Sequence, residues 1–235
     1  MKILAMDSSS LVATVAVLED DILMAEYTIN YKKTHSQTLL PMIDEVAKMI
    51  ELDLSTIDAI AISKGPGSFT GLRIGSATAK GLGLALDKPI IAVPTLEAMA
   101  YNLWGCDARI VPIMDARRNQ VYTGIYRFEN SEIRVLKEQC AVAIEELLAE
   151  LNESNEKVVF LGDGVPVLAE KIAELLIAPY EFAPAHMNRQ KAGAVGALAR
   201  CYYEKDIVET AAEHKPDYLR LSQAERERQE REAGK

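Results

Sequence analysis

The chain of 235 residues contains little cysteine, histidine or aromatic side chain. It has three cysteines, three histidines and an aromatic content of 6%. Cys106, Cys140 and Cys201 are odd in number, widely spaced and without a CxxC pair, so neither a disulfide framework nor a thiolate metal site is indicated. We interpret them as reduced, small hydrophobic residues.

Long apolar runs are also missing. The most apolar stretch, residues 72–86, carries Arg73 and Lys80 and is shorter than the roughly 20 residues of a transmembrane helix. The first residues contain no secretory h-region followed by a small-residue cleavage site. These absences predict a cytoplasmic protein that does not contact a membrane.

Positive charge is in deficit, with 26 Lys and Arg against 35 Asp and Glu and a net charge of -9. Proteins gain affinity for nucleic acid from clustered Lys and Arg, which release counterions from the phosphates. Autonomous binding to nucleic acid is therefore disfavoured, and any such contact should be minor or shared with a partner. The 49% apolar content suffices for a folded core.

No local catalytic constellation is present. His35, His186 and His214 are too dispersed for an HExxH motif, and the chain has no G-x-S-x-G elbow. We therefore predict neither a metal site nor a catalytic residue from local motifs. His35 is placed to begin a helix, while Asp115 and Arg117 are placed to close a hairpin turn.

The order of elements predicts an α/β protein with a mixed sheet, since strands and helices alternate after an opening hairpin. A second sheet-and-hairpin pattern at residues 109–137 indicates two related lobes, residues 1–105 and 106–221, followed by a polar tail at 222–235. The predicted strands are residues 2–6, 12–18, 22–29, 57–62, 90–93, 109–114, 120–128, 133–137 and 158–161. The predicted helices are residues 36–50 (capped by Ser36), 72–86, one beginning near residue 95, 141–151, 165–176 and 190–204.

A glycine-rich segment at residues 63–75 lies between a predicted strand and helix. Its spacing fits neither the P-loop nor the dinucleotide-binding pattern. Gly65, Gly67 and Ser68 could hold an anion at the helix start, but a tight turn that allows close packing is favoured. Asp7 and Ser8 leave a similar choice between a nucleotide phosphate site and an Asx turn.

Two predicted helices carry more small and apolar residues than one core face requires. Gly75, Ala79 and Gly83 form a smooth stripe on the helix 72–86, which is apolar nearly all round. Met42 and Met49 lie outside the main apolar stripe of the helix 36–50, formed by Leu39, Leu40, Ile43, Val46, Ala47 and Ile50. A partner interface and ordinary core packing are equally compatible with this pattern.

Several motifs together resemble the TsaB (YeaZ) family. They are Asp7-Ser8-Ser9, the segments 35–41 and 65–75, Asp115-Ala116-Arg117, Gly162-Asp163-Gly164 and the segment 216–220. The resemblance covers nearly the whole chain, and the long glycine-rich motif is the most specific part. It implies the fold of actin, sugar kinases and Hsp70 (the ASKHA fold), with two βαβ lobes of which the second is reduced.

The resemblance also implies a function. TsaB pairs with its paralogue TsaD and the ATPase TsaE, and the complex transfers threonylcarbamoyl to the adenosine beside the anticodon of tRNA. The metal-binding histidines of TsaD align with Thr95 and Met99 here, which cannot replace imidazole ligands. This implies a non-catalytic dimerisation subunit with no cofactor of its own, although the complex uses ATP, and it weakens the older glycoprotease label of the superfamily.

The implied pairing uses the two predicted helices 36–50 and 72–86, and an isolated chain is expected to form a homodimer. The alternative function is an ATP-binding phosphotransferase of the ASKHA type, motivated by Asp7 and the glycine-rich segment. A metallopeptidase is suggested by superfamily naming alone. The candidate interface residues are His35, Leu39, Met42, Met49, Leu72, Gly75, Ala79 and Gly83.

Overall fold

The computed structural model describes residues 1–32, 34–117 and 119–220, which form two five-stranded mixed sheets and six α-helices. The predicted polar tail at 222–235 lies outside the described residues. The strands of the first sheet are β1 (Lys2–Asp7), β2 (Val12–Glu19), β3 (Ile22–Asn30), β4 (Ala59–Gly65) and β5 (Ile90–Pro94). Their spatial order is β3-β2-β1-β4-β5, with the β1–β2 and β2–β3 pairs antiparallel and the β1–β4 and β4–β5 pairs parallel.

The second sheet repeats this arrangement in the order β10-β9-β6-β7-β8. Its β6–β7 and β7–β8 pairs are antiparallel, whereas the β6–β9 and β9–β10 pairs are parallel. The strands are β6 (Arg109–Asp115), β7 (Gln120–Glu129), β8 (Glu132–Ala143), β9 (Val158–Leu161) and β10 (Tyr180–Phe182). The repetition bears out the prediction of two related lobes.

Six α-helices surround the sheets within the described ranges. They are α1 (His35–Met49), α2 (Phe69–Leu86), α3 (Thr95–Tyr101), α4 (Ile144–Ser154), α5 (Val165–Leu175) and α6 (Ala192–Glu204). No helix in the described part of the chain is both long enough and apolar enough to cross a membrane. Thr34, rather than the predicted Ser36, is the N-cap of α1, and its side chain makes no capping hydrogen bond.

Strand β1 is buried on both faces, which explains its nearly continuous apolar sequence. Leu4 and Met6 point into the core beneath α1 and α2. Ile3 and Ala5 point to the opposite face, which α6 covers. The first lobe is therefore a three-layer sandwich with helices on both sides of its sheet.

Helix α6 corrects the predicted lobe boundary, because it falls within residues 106–221 yet packs on the first sheet. Val195, Leu198 and Ala199 are buried against residues of β1, β2, β4 and β5. The hydrophobic surface that this helix must bury is supplied by the N-terminal lobe, whereas the second sheet is covered by α3 on one face and by α4 and α5 on the other. The boundary at 105/106 therefore does not hold for α6.

Two further boundaries differ from the sequence-based expectation. Residues 141–143 were predicted to begin a helix, but they extend β8 through backbone pairing with β7, and α4 begins at Ile144. Strand β10 was not predicted, since Tyr180–Phe182 is only three residues long and is held by parallel pairing with β9. Helix α2 begins at Phe69, earlier than expected, because Ser68 accepts a hydrogen bond from the Gly71 N–H.

Candidate functional site: an inter-lobe cleft and two exposed helix faces

Strand β1 ends at Asp7, a buried residue whose two carboxylate oxygens both accept hydrogen bonds from the protein. Asp7 is 1% exposed. Its Oδ1 accepts hydrogen bonds from the backbone N–H and the hydroxyl of Ser9, both at 2.7 Å, and its Oδ2 accepts one from the Ser63 hydroxyl. Of the two interpretations left open by the sequence, this geometry matches the Asx turn.

Burial controls the charge of this carboxylate. It raises the pKa of Asp7 above its usual value, and the hydrogen bonds from Ser63 and Ser9 only partly oppose that rise. In the second lobe, burial likewise raises the pKa of Asp163, opposed by a hydrogen bond from the Asp115 N–H and by the charge of Arg189. Both carboxylates lie at strand ends that face the junction of the lobes.

The glycine-rich loop lies directly on the turn that follows β1. A Cβ placed on Gly67 would be 2.3 Å from the Ser9 carbonyl oxygen, and one on Gly71 would be 2.0 Å from that of Ser8. The Ser68 N–H donates a hydrogen bond to the Ser9 carbonyl at 2.6 Å. These contacts leave no space for a phosphate between loop and turn, so the loop's glycines serve close packing.

Three of the five residues predicted to hold an anion are used internally. Asp7 and Ser8 are each 1% exposed, and Ser8 donates to the Gly71 carbonyl at 2.9 Å. Gly65 adopts φ +126° and directs its N–H to the hydroxyl of Thr95. Asp7, Ser8 and Gly65 are therefore enclosed by the protein. Gly67 and Ser68 line the inter-lobe cleft, so that part of the predicted nucleotide or anion site stays a prediction.

A cleft of about 690 Å³ opens between the two lobes beside this packed turn. On the first lobe, His35 Nε2 lies 2.7 Å from the Ser10 carbonyl oxygen, so this nitrogen donates the hydrogen bond. Gly67 and Ser68 of the glycine loop also line the cleft. Its charged lining residues carry both signs. They are Asp115, Arg117, Asp163, Asp217 and Arg220.

Helix α3 carries the two residues that the family resemblance aligns with the metal-binding histidines of TsaD, namely Thr95 and Met99. Thr95 accepts a hydrogen bond from the glycine loop at 3.1 Å, and Met99 Sδ accepts one from Gln190 at 3.4 Å. Between them, burial raises the pKa of Glu97, which accepts a hydrogen bond from the Tyr202 hydroxyl at 2.8 Å. Over residues 1–32, 34–117 and 119–220, no three His, Cys, Asp or Glu side chains converge on a point where they could hold a metal ion.

The predicted small-residue stripe of α2 faces the interior. Ala79 is fully buried beneath the first sheet, and Leu72 is 3% exposed. A Cβ on Gly75 would lie 2.4 Å from the Ser8 hydroxyl, and one on Gly83 would lie 3.2 Å from the Ala211 methyl carbon. Small residues predict a close neighbour without identifying it, and here the neighbours belong to the same chain.

The predicted residues of α1 divide between core and surface. Leu39 and Met42 are buried against the sheet, which corrects the expectation that Met42 lies outside the core stripe. His35 is half-buried, whereas Met49 is 75% exposed. Six of the eight predicted interface residues are therefore inside the chain, namely Leu39, Met42, Leu72, Gly75, Ala79 and Gly83.

The outer faces of the same helices expose different residues, which the sequence reasoning did not select. On α2, Ala77 and Gly81 are exposed at i, i+4 spacing, and a Cβ placed on Gly81 would have no atom within 4 Å beyond its chain neighbours and the nearby backbone of the helix. Leu84 extends this stripe, and Leu40 is exposed on α1. The signal available in the sequence was a second small-residue stripe, offset by two positions from the buried one.

A groove of about 610 Å³ runs between α1 and β3. Tyr27 and Ile29 form its strand side, and Pro41, Met42 and Met49 form its helix side. Strand β3 is an edge strand, and its exposed apolar residues include Ile22, Leu23 and Met24. The groove is thus an apolar surface between α1 and β3, whereas Leu23 lies beside Gly193 of α6 on the other face of the sheet.

Two lobes, each with a mixed five-stranded sheet in the same order and a cleft between them, define an α/β protein of the actin, sugar kinase and Hsp70 class. YeaZ from Pseudomonas aeruginosa has the same fold, with a TM-score of 0.77 and 26% identity over 93% of this chain and 99% of that chain. A second P. aeruginosa structure, described as an uncharacterized protein with similarity to peptidase YEAZ, aligns over the same shares with a TM-score of 0.78 and 26% identity.

Sequence comparison narrows the class to one family. The family model for TsaD, described as tRNA N6-adenosine threonylcarbamoyltransferase, matches residues 23–228. The tRNA threonylcarbamoyladenosine biosynthesis protein TsaB of Bacillus subtilis is 36% identical over 225 residues, covering 96% of each chain. TsaB of Escherichia coli is 34% identical over 167 residues, or 70% of this chain and 72% of that relative. The chain belongs to the TsaB family.

Proposed function

We propose that this chain is a non-catalytic subunit of the machinery that forms threonylcarbamoyladenosine in tRNA. It pairs with a TsaD-type paralogue, and the TsaE ATPase joins the pair to support transfer to the adenosine next to the anticodon. The observation that carries the proposal is the TsaB relative that matches over 96% of both chains. The chain acts in the cytoplasm and reaches tRNA only through the complex, in keeping with its net charge of -9.

The non-catalytic part of the proposal rests on how the chain uses its polar groups. Thr95 and Met99 stand where the paralogue has metal-binding histidines, and both are engaged in internal hydrogen bonds. Asp7 is enclosed by Ser9 and Ser63, and the glycine loop fills the adjacent space. These groups support the fold, so the subunit brings no cofactor of its own and leaves ATP to the assembled complex.

The pairing surface follows from what α1 and α2 expose. Ala77 and Gly81 allow the backbone of another helix to approach α2 closely, and Leu84 and Leu40 supply apolar area beside them. The two helices contact each other, and in this proposal their outer faces together form one pairing ridge. In the absence of the paralogue, the same ridge can pair with that of a second copy, which accounts for the proposed homodimer.

A substitution on the exposed stripe tests the proposed pairing. Ala77→Leu should weaken binding to the TsaD-type paralogue of the same organism by at least about tenfold, since it adds bulk where helices must approach closely. The matched control is Ala173→Leu, also an exposed alanine on a helix but on α5 of the second lobe. Calorimetry measures the affinity, and thermal unfolding verifies that both variants stay folded.

A reconstituted reaction tests the role. The paralogue, TsaE, ATP and the enzyme that makes the threonylcarbamoyl adenylate are combined with tRNA, and the modified adenosine is measured by mass spectrometry. We expect modification only when this chain is present, with activity lost in parallel with affinity for Ala77→Leu and retained for Ala173→Leu. Modification of tRNA by this chain alone, or unchanged pairing of Ala77→Leu, would contradict the proposal.

A further inference from the structure

The last described residues of the chain cross from the first lobe to the second. Beyond α6, Glu209 forms a β-bridge with Ile90 at the edge of the first sheet. The chain then passes along α2, where Lys80 donates a hydrogen bond to the His214 carbonyl at 3.1 Å. Residues 216–220, which we name the strap, continue over the glycine loop to the turn between β6 and β7. Four of these residues, 217–220, form one wall of the inter-lobe cleft.

Asp217 by itself forms hydrogen bonds to residues of both lobes. Its N–H donates a hydrogen bond to the Lys64 carbonyl of β4 at 2.7 Å, and its Oδ2 accepts one from Gln139 of β8 at 3.1 Å. A Cβ placed on Gly65 would lie 2.2 Å from the Asp217 carbonyl oxygen, so no residue larger than glycine fits at position 65. The strap therefore requires Gly65, whose φ of +126° also favours glycine.

Tyr218 attaches the strap to the start of α2. Its ring lies 4.5 Å from that of Phe69, centroid to centroid, and the Arg73 guanidinium carbon lies 4.0 Å from the centre of the Phe69 ring. Arg73 Nε also donates a hydrogen bond to the Tyr218 hydroxyl at 3.4 Å. Aromatic and cation–π contacts thus combine on the surface of the first lobe.

Arg220 makes the contact to the second lobe. Its Nη1 donates a hydrogen bond to the Ala116 carbonyl at 2.7 Å, in the turn between β6 and β7. A bond from a charged donor is stronger than one between neutral groups. The strap is thus bonded to the second lobe at both ends, by Asp217 to β8 and by Arg220 to this turn, and to the first lobe in between.

From these contacts we propose that the strap is an inter-lobe clamp, which holds the two lobes at one mutual orientation and the cleft at one width. Separation of the lobes breaks the Asp217–Gln139 and Arg220–Ala116 bonds together, while Tyr218 keeps the strap on α2. The strap belongs to neither sheet, yet it forms hydrogen bonds to both lobes. It thereby makes the two lobes one rigid unit.

Distances between spin labels on the two lobes test the clamp. Labels are placed at positions 48 on α1 and 174 on α5, in full-length chain whose three cysteines are replaced by serine. The test variant is Tyr218→Ala with Arg220→Ala. The matched control is Tyr203→Ala with Arg134→Ala. Tyr203 is exposed to the same extent as Tyr218, 38%, and Arg134 forms ion pairs within the hairpin of the second sheet, with Glu129 and Glu132.

We expect one narrow distance for the intact strap and for the control, and a distribution that broadens or lengthens by about 5 Å or more for the strap variant. An unchanged distribution in a folded strap variant overturns the clamp. If the double variant does not fold, hydrogen exchange on Arg220→Gln decides. The Asp217 amide should then exchange at least about tenfold faster while the amides of β1 keep their protection, and unchanged exchange at Asp217 overturns the proposal.

Discussion

The first turn of α2 is joined to the end of β1 by a contact between Gly71 and Ser8, where a Cβ on Gly71 would lie 2.0 Å from the Ser8 carbonyl oxygen. The Ser8 hydroxyl returns a hydrogen bond of 2.9 Å to the Gly71 carbonyl. β1 and α2 are thereby held closer together than any residue other than glycine at position 71 would permit. The contact fixes the start of α2 against the turn that follows β1.

Gly71→Ala should lower the free energy of unfolding by about 2–4 kcal/mol, because the added methyl group forces α2 away from β1. Gly81→Ala is the control on the same helix. Its Cβ meets no atom within 4 Å, so the higher helix propensity of alanine should stabilise the chain by up to about 1 kcal/mol. Urea denaturation measures both values. Equal stability of Gly71→Ala and the wild type would contradict the close packing.

Asp7→Asn should stabilise the fold at neutral pH, and the gain should shrink on acidification. Burial raises the pKa of Asp7 in the folded chain above its unfolded value. Between these two pKa values the folded chain retains a proton that the unfolded chain has released, so stability falls as pH rises through this window. Asparagine still offers an oxygen to Ser9 without the buried charge.

Thermal unfolding from about pH 4 to pH 8 measures this effect. Asp53→Asn provides a control of opposite sign, because hydrogen bonding by Ser55 lowers the pKa of the exposed Asp53. That bond stabilises the fold above the unfolded pKa of Asp53, and the contribution is lost as pH falls through the lower folded pKa. A gain for Asp7→Asn that did not change with pH would show that charge is not its cause.

Leu198→Ala should lower the free energy of unfolding by about 2–5 kcal/mol, since it leaves a cavity between α6 and the first sheet. Hydrogen exchange should show the largest loss of protection in β1 and β2, although Leu198 lies at least 179 residues further along the chain (198 − 19). Leu175→Ala, at a position that is 37% exposed, should cost less than about 1 kcal/mol. Loss confined to the second sheet would contradict the placement of α6.

ATP with Mg²⁺ should give no saturable heat when titrated into the isolated chain. The Ser68 N–H is bonded to the Ser9 carbonyl, and the backbone of Gly67 lies against the same residue, so the loop cannot surround a phosphate. Calorimetry at about 25 °C measures the binding. A dissociation constant below about 100 µM would contradict the packing interpretation and favour the phosphotransferase alternative.

Local patterns in the sequence predicted most of the elements of the first lobe. Apolar segments bounded by turn signals predicted β1 to β3, and glycine spacing predicted the packed loop before α2. The start of α4 was predicted too early, because residues 141–143 suit helix and strand alike and only their pairing with β7 decides between them. Six of the eight predicted interface residues are buried in the chain for the same kind of reason, since Gly75 and Gly81 are chemically identical and differ only in what lies opposite.

By itself, the sequence determined the alternation of strands and helices, the acidic charge and the motifs that mark the TsaB family, because these depend on residues that are neighbours in the chain. Only the tertiary structure decided which stripe of α2 is buried, that α6 covers the first sheet and that residues 216–220 bind both lobes. These features arise from contacts between residues far apart in sequence, and hydrophobic periodicity specifies that a face is buried without specifying the surface that buries it.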